Sequence, residues 1–97
     1  MEKIIITATA ESIEQVIELL EAGVDRIYVG EKHFGLRLPH TFSYDELREI
    51  SNLVHEAGKE IVVAVNALMH QEMMDKIKPF LDFLAEIQTD YITVGDA

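Results

Sequence analysis

The run Ile61-Val62-Val63-Ala64-Val65 contains no polar side chain. A strand with one wet face alternates apolar and polar residues, so a run without alternation marks a strand buried on both faces, as in a parallel sheet. That single segment limits the chain to folds in which helices cover parallel strands.

The flanking sequence supplies those helices. Ile4-Ile5-Ile6-Thr7 reads as a first, buried β-branched strand. Ser12 and Gln15 have capping-box spacing, and Ile13, Val16, Ile17 and Leu20 recur at helical intervals opposite Glu14, Glu18 and Glu21. Gly23 suits the residue after that helix. Arg26 to Gly30 is the second strand, followed by a long polar stretch from Glu31 to Phe42. Ser43 and Glu46 open a second helix with Leu47, Ile50, Leu53, Val54 and Ala57 as its apolar stripe, ended by Gly58. A third helix is expected from Met73 to Ile87, with Ile77, Phe80, Leu81, Leu84 and Ile87 inward. Pro79 is expected in its first turn or at a kink, because an interior proline costs about 3 kcal/mol. Tyr91 to Gly95 is the fourth strand.

The order is βαβαβαβ, with an internal repeat. Asp25, Ile27, Val29 and Gly30 recur as Asp90, Ile92, Val94 and Gly95, 65 positions later, or two βα units. Units of that length suit a (βα)₈ barrel of about 250 residues. The expected fold class is therefore α/β: a parallel (βα)₃β half of a TIM-type barrel, one domain over residues 1–97 and a fragment of a longer protein. A small flavodoxin-like domain is the alternative, disfavoured because its last strand would lack a covering helix. Half a barrel exposes strand edges, and exposed edges invite pairing with another chain, so self-association into a homo-oligomer is expected.

Composition narrows the chemistry. Eight basic against 18 acidic residues give a net charge of −10, which repels phosphate backbones and anionic membrane surfaces. The chain has no cysteine, which excludes disulfides, thiolate chemistry and iron–sulfur ligation within it. Neither a signal-peptide core nor about 20 consecutive apolar residues is present, so a cytoplasmic location with no membrane contact is expected.

In a (βα) barrel, function collects at the C-terminal ends of the strands. Those positions carry Thr7-Ala8-Thr9, Gly30-Glu31 with His33, Arg37 and His40 in the following loop, Asn66 with His70, and Gly95-Asp96. We take Glu31, His33, Arg37, Asn66 and Asp96 as candidate substrate-binding residues. Each has a plainer reading: Glu31 and Asp96 as carboxylates near helix N-termini, Asn66 as a partner for loop amides, the histidines as loop residues, and Arg37 as a structural partner of Glu31 or Asp96. His55 falls on the polar side of the second helix and is expected to be exposed. No HExxH, P-loop, GxGxxG or nucleophile-elbow pattern occurs, so neither a metal site nor a catalytic residue is assigned.

Val29 to Arg37, followed by Phe42 to Leu47, resembles the "Y-x-G-x-x-x-F-G-x-R … F-x-x-x-E-L" segment of the peptidase U32 family, the collagenase-like protease group. Val63 to Leu68 and Ile92 to Asp96 are similar to that family's third and fourth strands. Gly30, Phe34, Gly35, Arg37, Asn66 and Asp96 fall on matching positions. Thr7-Ala8-Thr9-Ala10-Glu11 stands where members often carry a Pro-Ala-Gly turn, a departure from the family's pattern. The resemblance implies a TIM-barrel N-terminal region and either peptidase activity or, in several members, tRNA uridine hydroxylation, with an iron–sulfur cluster in some full-length proteins. It implies an anion or substrate clamp at Arg37 and substrate-orienting roles for Asn66 and Asp96. The expected parent is an enzyme of tRNA hydroxylation, with tRNA its partner only at full length. The alternatives are a non-catalytic half-barrel that self-associates as a scaffold and a small anion-binding protein using Arg37 and His33.

Overall fold

A computed structural model of the chain describes residues 4–31, 40–65 and 71–94. The elements are β1 (Thr7–Thr9), α1 (Ile13–Glu21), β2 (Arg26–Gly30), α2 (Tyr44–Glu56), β3 (Glu60–Val65), α3 (Gln71–Glu86) and β4 (Tyr91–Val94). The strands form one parallel sheet in the order β1-β2-β3-β4.

That order decides the architecture. Parallel crossovers are right-handed, so a chain that always steps to the next strand in the same direction lays every helix on one face. A flavodoxin-like sheet reverses direction at a switch point and covers both faces. Here no reversal occurs. One face is packed by helices, and the other is the face a closed barrel turns inward.

Strand alternation separates the faces. Ala8, Ile27, Val29, Ile61, Val63 and Val65 join Val16 of α1, Leu47, Ile50 and Val54 of α2, and Phe80, Phe83 and Leu84 of α3 in one apolar core. The opposite row is Thr7 and Thr9, Arg26 and Tyr28, Glu60, Val62 and Ala64, then Tyr91 and Thr93, aligned by the strand register. The sequence pattern is therefore apolar toward the helices and largely polar toward the barrel interior.

The helices begin and end as their sequences dictate. Ser43 and Glu46 close a full capping box at α2. At α1 the Ser12 hydroxyl accepts the Gln15 amide, but the Gln15 side chain reaches the Glu11 amide instead of Ser12's own. All three helices end in the same left-handed turn. Gly23, Gly58 and Gln88 have φ of 95°, 73° and 61°. In each, the next amide returns to a carbonyl five residues back: Val24 to Leu19, Lys59 to Val54, Thr89 to Leu84.

Four local expectations are corrected. The first strand starts later, at Thr7, and Ile4, Ile5 and Ile6 are 81%, 49% and 52% exposed. The Asp25 carboxylate takes the Ile6 amide, and the Ile6 carbonyl takes the amides of Asp25 and Arg26, so the regular ladder begins one residue on. Pro79 lies inside α3, not in its first turn. Leu81 is exposed and Phe83 takes its place, stacked on Tyr44 with ring centroids 4.4 Å apart. His55 is only 30% exposed, because it is held between α2 and the start of β4.

Candidate functional site

The face opposite the helices carries two side-chain bridges that span β3. Arg26 on β2 hydrogen-bonds Glu60 at 2.9 Å and lies over the Tyr91 ring of β4, 4.4 Å from its centroid. The Glu60 hydrogen bond is the chief reason the Arg26 pKa is raised above its ordinary value. Two residues further along the strands, the hydroxyls of Tyr28 and Thr93 meet at 3.0 Å. Tyr28 is in register with Val62, and Thr93 with Ala64, so the Tyr28 side chain must lie across β3 to reach its partner. This accounts for the apolar run of β3. Helices bury Val63, while the bridges from neighbouring strands shelter Val62 and Ala64, which are 6% and 0% exposed.

The two bridges differ in chemistry and position. Arg26–Glu60 is charge-compensated and sits at the N-terminal ends of the strands, where barrels carry stabilising contacts. Tyr28–Thr93 is neutral and sits toward the C-terminal ends, where barrels carry their chemistry. Hydroxyls both donate and accept, so this pair suits an uncharged polar ligand edge and not a phosphate.

Glu31 stands just past the end of β2, 4% exposed. The Phe42 amide donates to the Gly30 carbonyl at 2.8 Å, and Glu31 and Phe42 form a parallel bridge, so the chain returns to the same point before α2 begins. Val29 faces the helices, and Glu31 continues that row. Its negative charge reaches Tyr44 at the first turn of α2, whose pKa is raised, first by burial and then by Glu31. Of the candidate residues, Glu31 is thus a buried carboxylate beneath α2. His33, Arg37, Asn66 and Asp96 lie outside the described residues.

A Ser–His–Asp array occurs elsewhere. The Ser51 hydroxyl lies 3.3 Å from His55 Nδ1, and His55 Nε2 lies 2.8 Å from Asp90. It is not a nucleophilic triad. Ser51 is 1% exposed and donates its proton to the Ile87 carbonyl at 2.6 Å. A nucleophile needs an accessible oxygen whose proton goes to the base. Asp90 also accepts the Ile61 amide at 2.8 Å. The array is a clasp joining α2, α3 and the start of β4. Among the described residues no cluster of His, Asp or Glu could hold a metal ion. No described helix is long and apolar enough to cross a membrane.

Reading the sequence for strand ends missed Tyr28 and Thr93. The signal was the alternation in Arg26-Ile-Tyr-Val and Tyr91-Ile-Thr-Val, which places one apolar and one polar row on each strand.

Comparison with known proteins is consistent with this architecture. The family model described as Peptidase family U32 matches residues 11–97. The chain is 33% identical to tRNA hydroxylation protein P2 of Bacillus subtilis (strain 168), over 99% of this chain and 31% of that protein. It is 25% identical to a 23S rRNA 5-hydroxycytidine synthase of Escherichia coli (strain K12), over 81% of this chain and 12% of that protein. The chain thus spans at most about a third of these relatives' length. The solved structure of the U32 peptidase Mk0906 superposes with a TM-score of 0.76 at 16% identity, covering 99% of this chain and 42% of that one, which supports the fold. With the family model matching almost its whole length, this chain belongs to peptidase family U32.

Proposed function

We propose that this chain forms the first strand–helix units of a barrel enzyme that hydroxylates pyrimidines in tRNA, working in the cytoplasm. The observation that carries this reading is the 33% identity to a tRNA hydroxylation protein along 99% of the chain. The inner face fits it, because neutral hydroxyls and an aromatic ring suit a nucleobase better than a peptide bond awaiting a nucleophile.

The net charge of −10 assigns the phosphate contacts to other parts of the full-length protein. The same holds for an iron–sulfur cluster. Without a cysteine, this chain does not fit that group, and any cluster would be held by residues elsewhere. The test is tRNA binding by the full-length protein across a salt series. Binding that weakens as salt rises supports the reading; absent or salt-insensitive binding refutes it.

A second reading has its own observation. Tyr91, Ile92 and Val94 on the β4 edge are 45%, 42% and 83% exposed, as is the Ile4–Ile6 run before β1. On its own the chain would pair these edges with a second copy and act as a scaffold. Sedimentation of the isolated chain distinguishes them: a stable dimer at micromolar concentration favours the scaffold, and a compact monomer counts against it.

A further inference from the structure

We propose that the Ser51–His55–Asp90 clasp is a proton-operated latch. Its hydrogen bonds are complete only when His55 carries a proton on both ring nitrogens, and losing one loosens the join between α2, the end of α3 and the start of β4.

The number of donors sets this requirement. Ser51 has one hydroxyl proton, and it goes to the Ile87 carbonyl at 2.6 Å, in a buried position. The Ser51 oxygen then offers only lone pairs to His55 Nδ1, 3.3 Å away, so that nitrogen must donate. On the other side of the ring, Nε2 lies 2.8 Å from Asp90 Oδ2. The same oxygen accepts the Ile61 amide at 2.8 Å, so Asp90 stands there as an acceptor and Nε2 must donate too. A neutral imidazole has a single N–H and can serve one side only. The imidazolium serves both.

The surroundings suit a ring that gains and loses a proton. His55 is 30% exposed and borders a cleft of about 440 Å³ between α2 and the end of α3, so it exchanges protons with solvent without unfolding. Arg48 and Glu56 of α2 and Glu86 of α3 line the same cleft. Arg48 is turned to Glu86 at 3.4 Å, and Lys59, after α2, to Asp25 at 3.7 Å. Each nearby cation thus has a carboxylate of its own, while Asp90 and Glu56 add negative charge on the ring's side. Histidine is the side chain whose charge changes between about pH 5 and 8. The folded chain holds an acceptor against each ring proton, and the unfolded chain fixes neither. The clasp therefore contributes most at the acid end of that range and less as pH rises.

The experiment unfolds the full-length protein in urea at about pH 5.5 and about pH 8, beside His55→Gln, Asp90→Asn and Ser51→Ala. Asp90→Asn supplies an N–H that a bare Nε2 can accept, and Ser51→Ala removes the oxygen facing Nδ1. A neutral ring then suffices in each. The ratio of unfolding constants, alkaline over acid, should be about 2- to 5-fold larger for the wild type than for any of the three variants, the size of a partly exposed ion pair. A wild-type ratio equal to that of His55→Gln overturns the latch. Ser51→Ala that keeps the wild-type ratio overturns it as well, because an ordinary His–Asp pair would then account for the pH dependence. Nuclear magnetic resonance gives a readout that needs no variant to fold. The Ile61 amide signal should move as the ring loses its proton, since both groups meet Asp90 Oδ2. An Ile61 signal indifferent to that step overturns the latch.

Discussion

The Asp90 carboxylate, just ahead of β4, accepts the Ile61 amide of the neighbouring strand at 2.8 Å. Asp25, its counterpart in the internal repeat, accepts the Ile6 amide ahead of β1 at 2.9 Å. Each is joined by a side chain from the α2 region: His55 at 2.8 Å from Asp90, and Lys59 at 3.7 Å from Asp25. The repeated aspartate therefore braces the start of one strand against the previous one, at the end of the sheet that barrels use for stability. Ile61 is fully buried, and a buried amide stripped of its acceptor costs about 1–3 kcal/mol. Asp90→Ala should destabilise the protein by about 2 kcal/mol in urea unfolding. An unchanged midpoint would contradict the brace.

Gln88 occupies a left-handed turn that glycine fills at the ends of the other two helices. A side chain there costs about 1–2 kcal/mol, partly offset by the freer unfolded chain that glycine brings. Gln88→Gly should stabilise by about 0.5–1 kcal/mol, and Gly58→Ala should destabilise by about 1 kcal/mol, with no clash involved since the site is open. Thermal unfolding of the two variants should shift in opposite directions.

Tyr44 holds its proton above the ordinary tyrosine range, first through burial and then through the Glu31 charge. A folded pKa above the unfolded one means the folded chain binds the proton more tightly. This contribution to stability is therefore fully present below about pH 10 and is lost as pH rises through the folded value. An ultraviolet titration should show a late-ionising tyrosine phase, and Tyr44→Phe should remove it. Glu31→Gln should lower its pKa only in part, because burial is the larger cause. A full return to the ordinary value would contradict that order.

Pro79 interrupts α3 on an exposed face, where it cannot donate to the carbonyl of Asp75. Pro79→Ala restores that bond and a good helix former. Stability should rise by about 1–3 kcal/mol, measured by denaturant unfolding. A loss would mean that the proline shapes a contact the alanine cannot make.

The fold was legible because its strongest signals are local. The unbroken β3 run, the Ser43–Glu46 box and the glycines at 23 and 58 each act within a few residues, and the structure places helix and strand where they indicate. The repeat was legible as well, but its meaning lies in contacts between elements. Asp90 touches Ile61 and His55, which no spacing reveals. The apolar Ile4–Ile6 run misled because it is apolar yet stays about half exposed or more. Hydrophobic pattern reports what a segment can bury, not where its ladder begins. The polar pair Tyr28–Thr93 was hidden for a related reason. Its partners are 65 residues apart and meet only because β2 and β4 flank one strand. Glu31 was correctly placed at a strand end, but its direction beneath α2 depends on strand alternation carried past the last regular residue.

The most direct test is mass spectrometry of nucleosides from tRNA of cells lacking the full-length protein, with and without its restoration. The account predicts that one hydroxylated pyrimidine disappears on deletion and returns with the wild type. An unchanged nucleoside profile after deletion would contradict it.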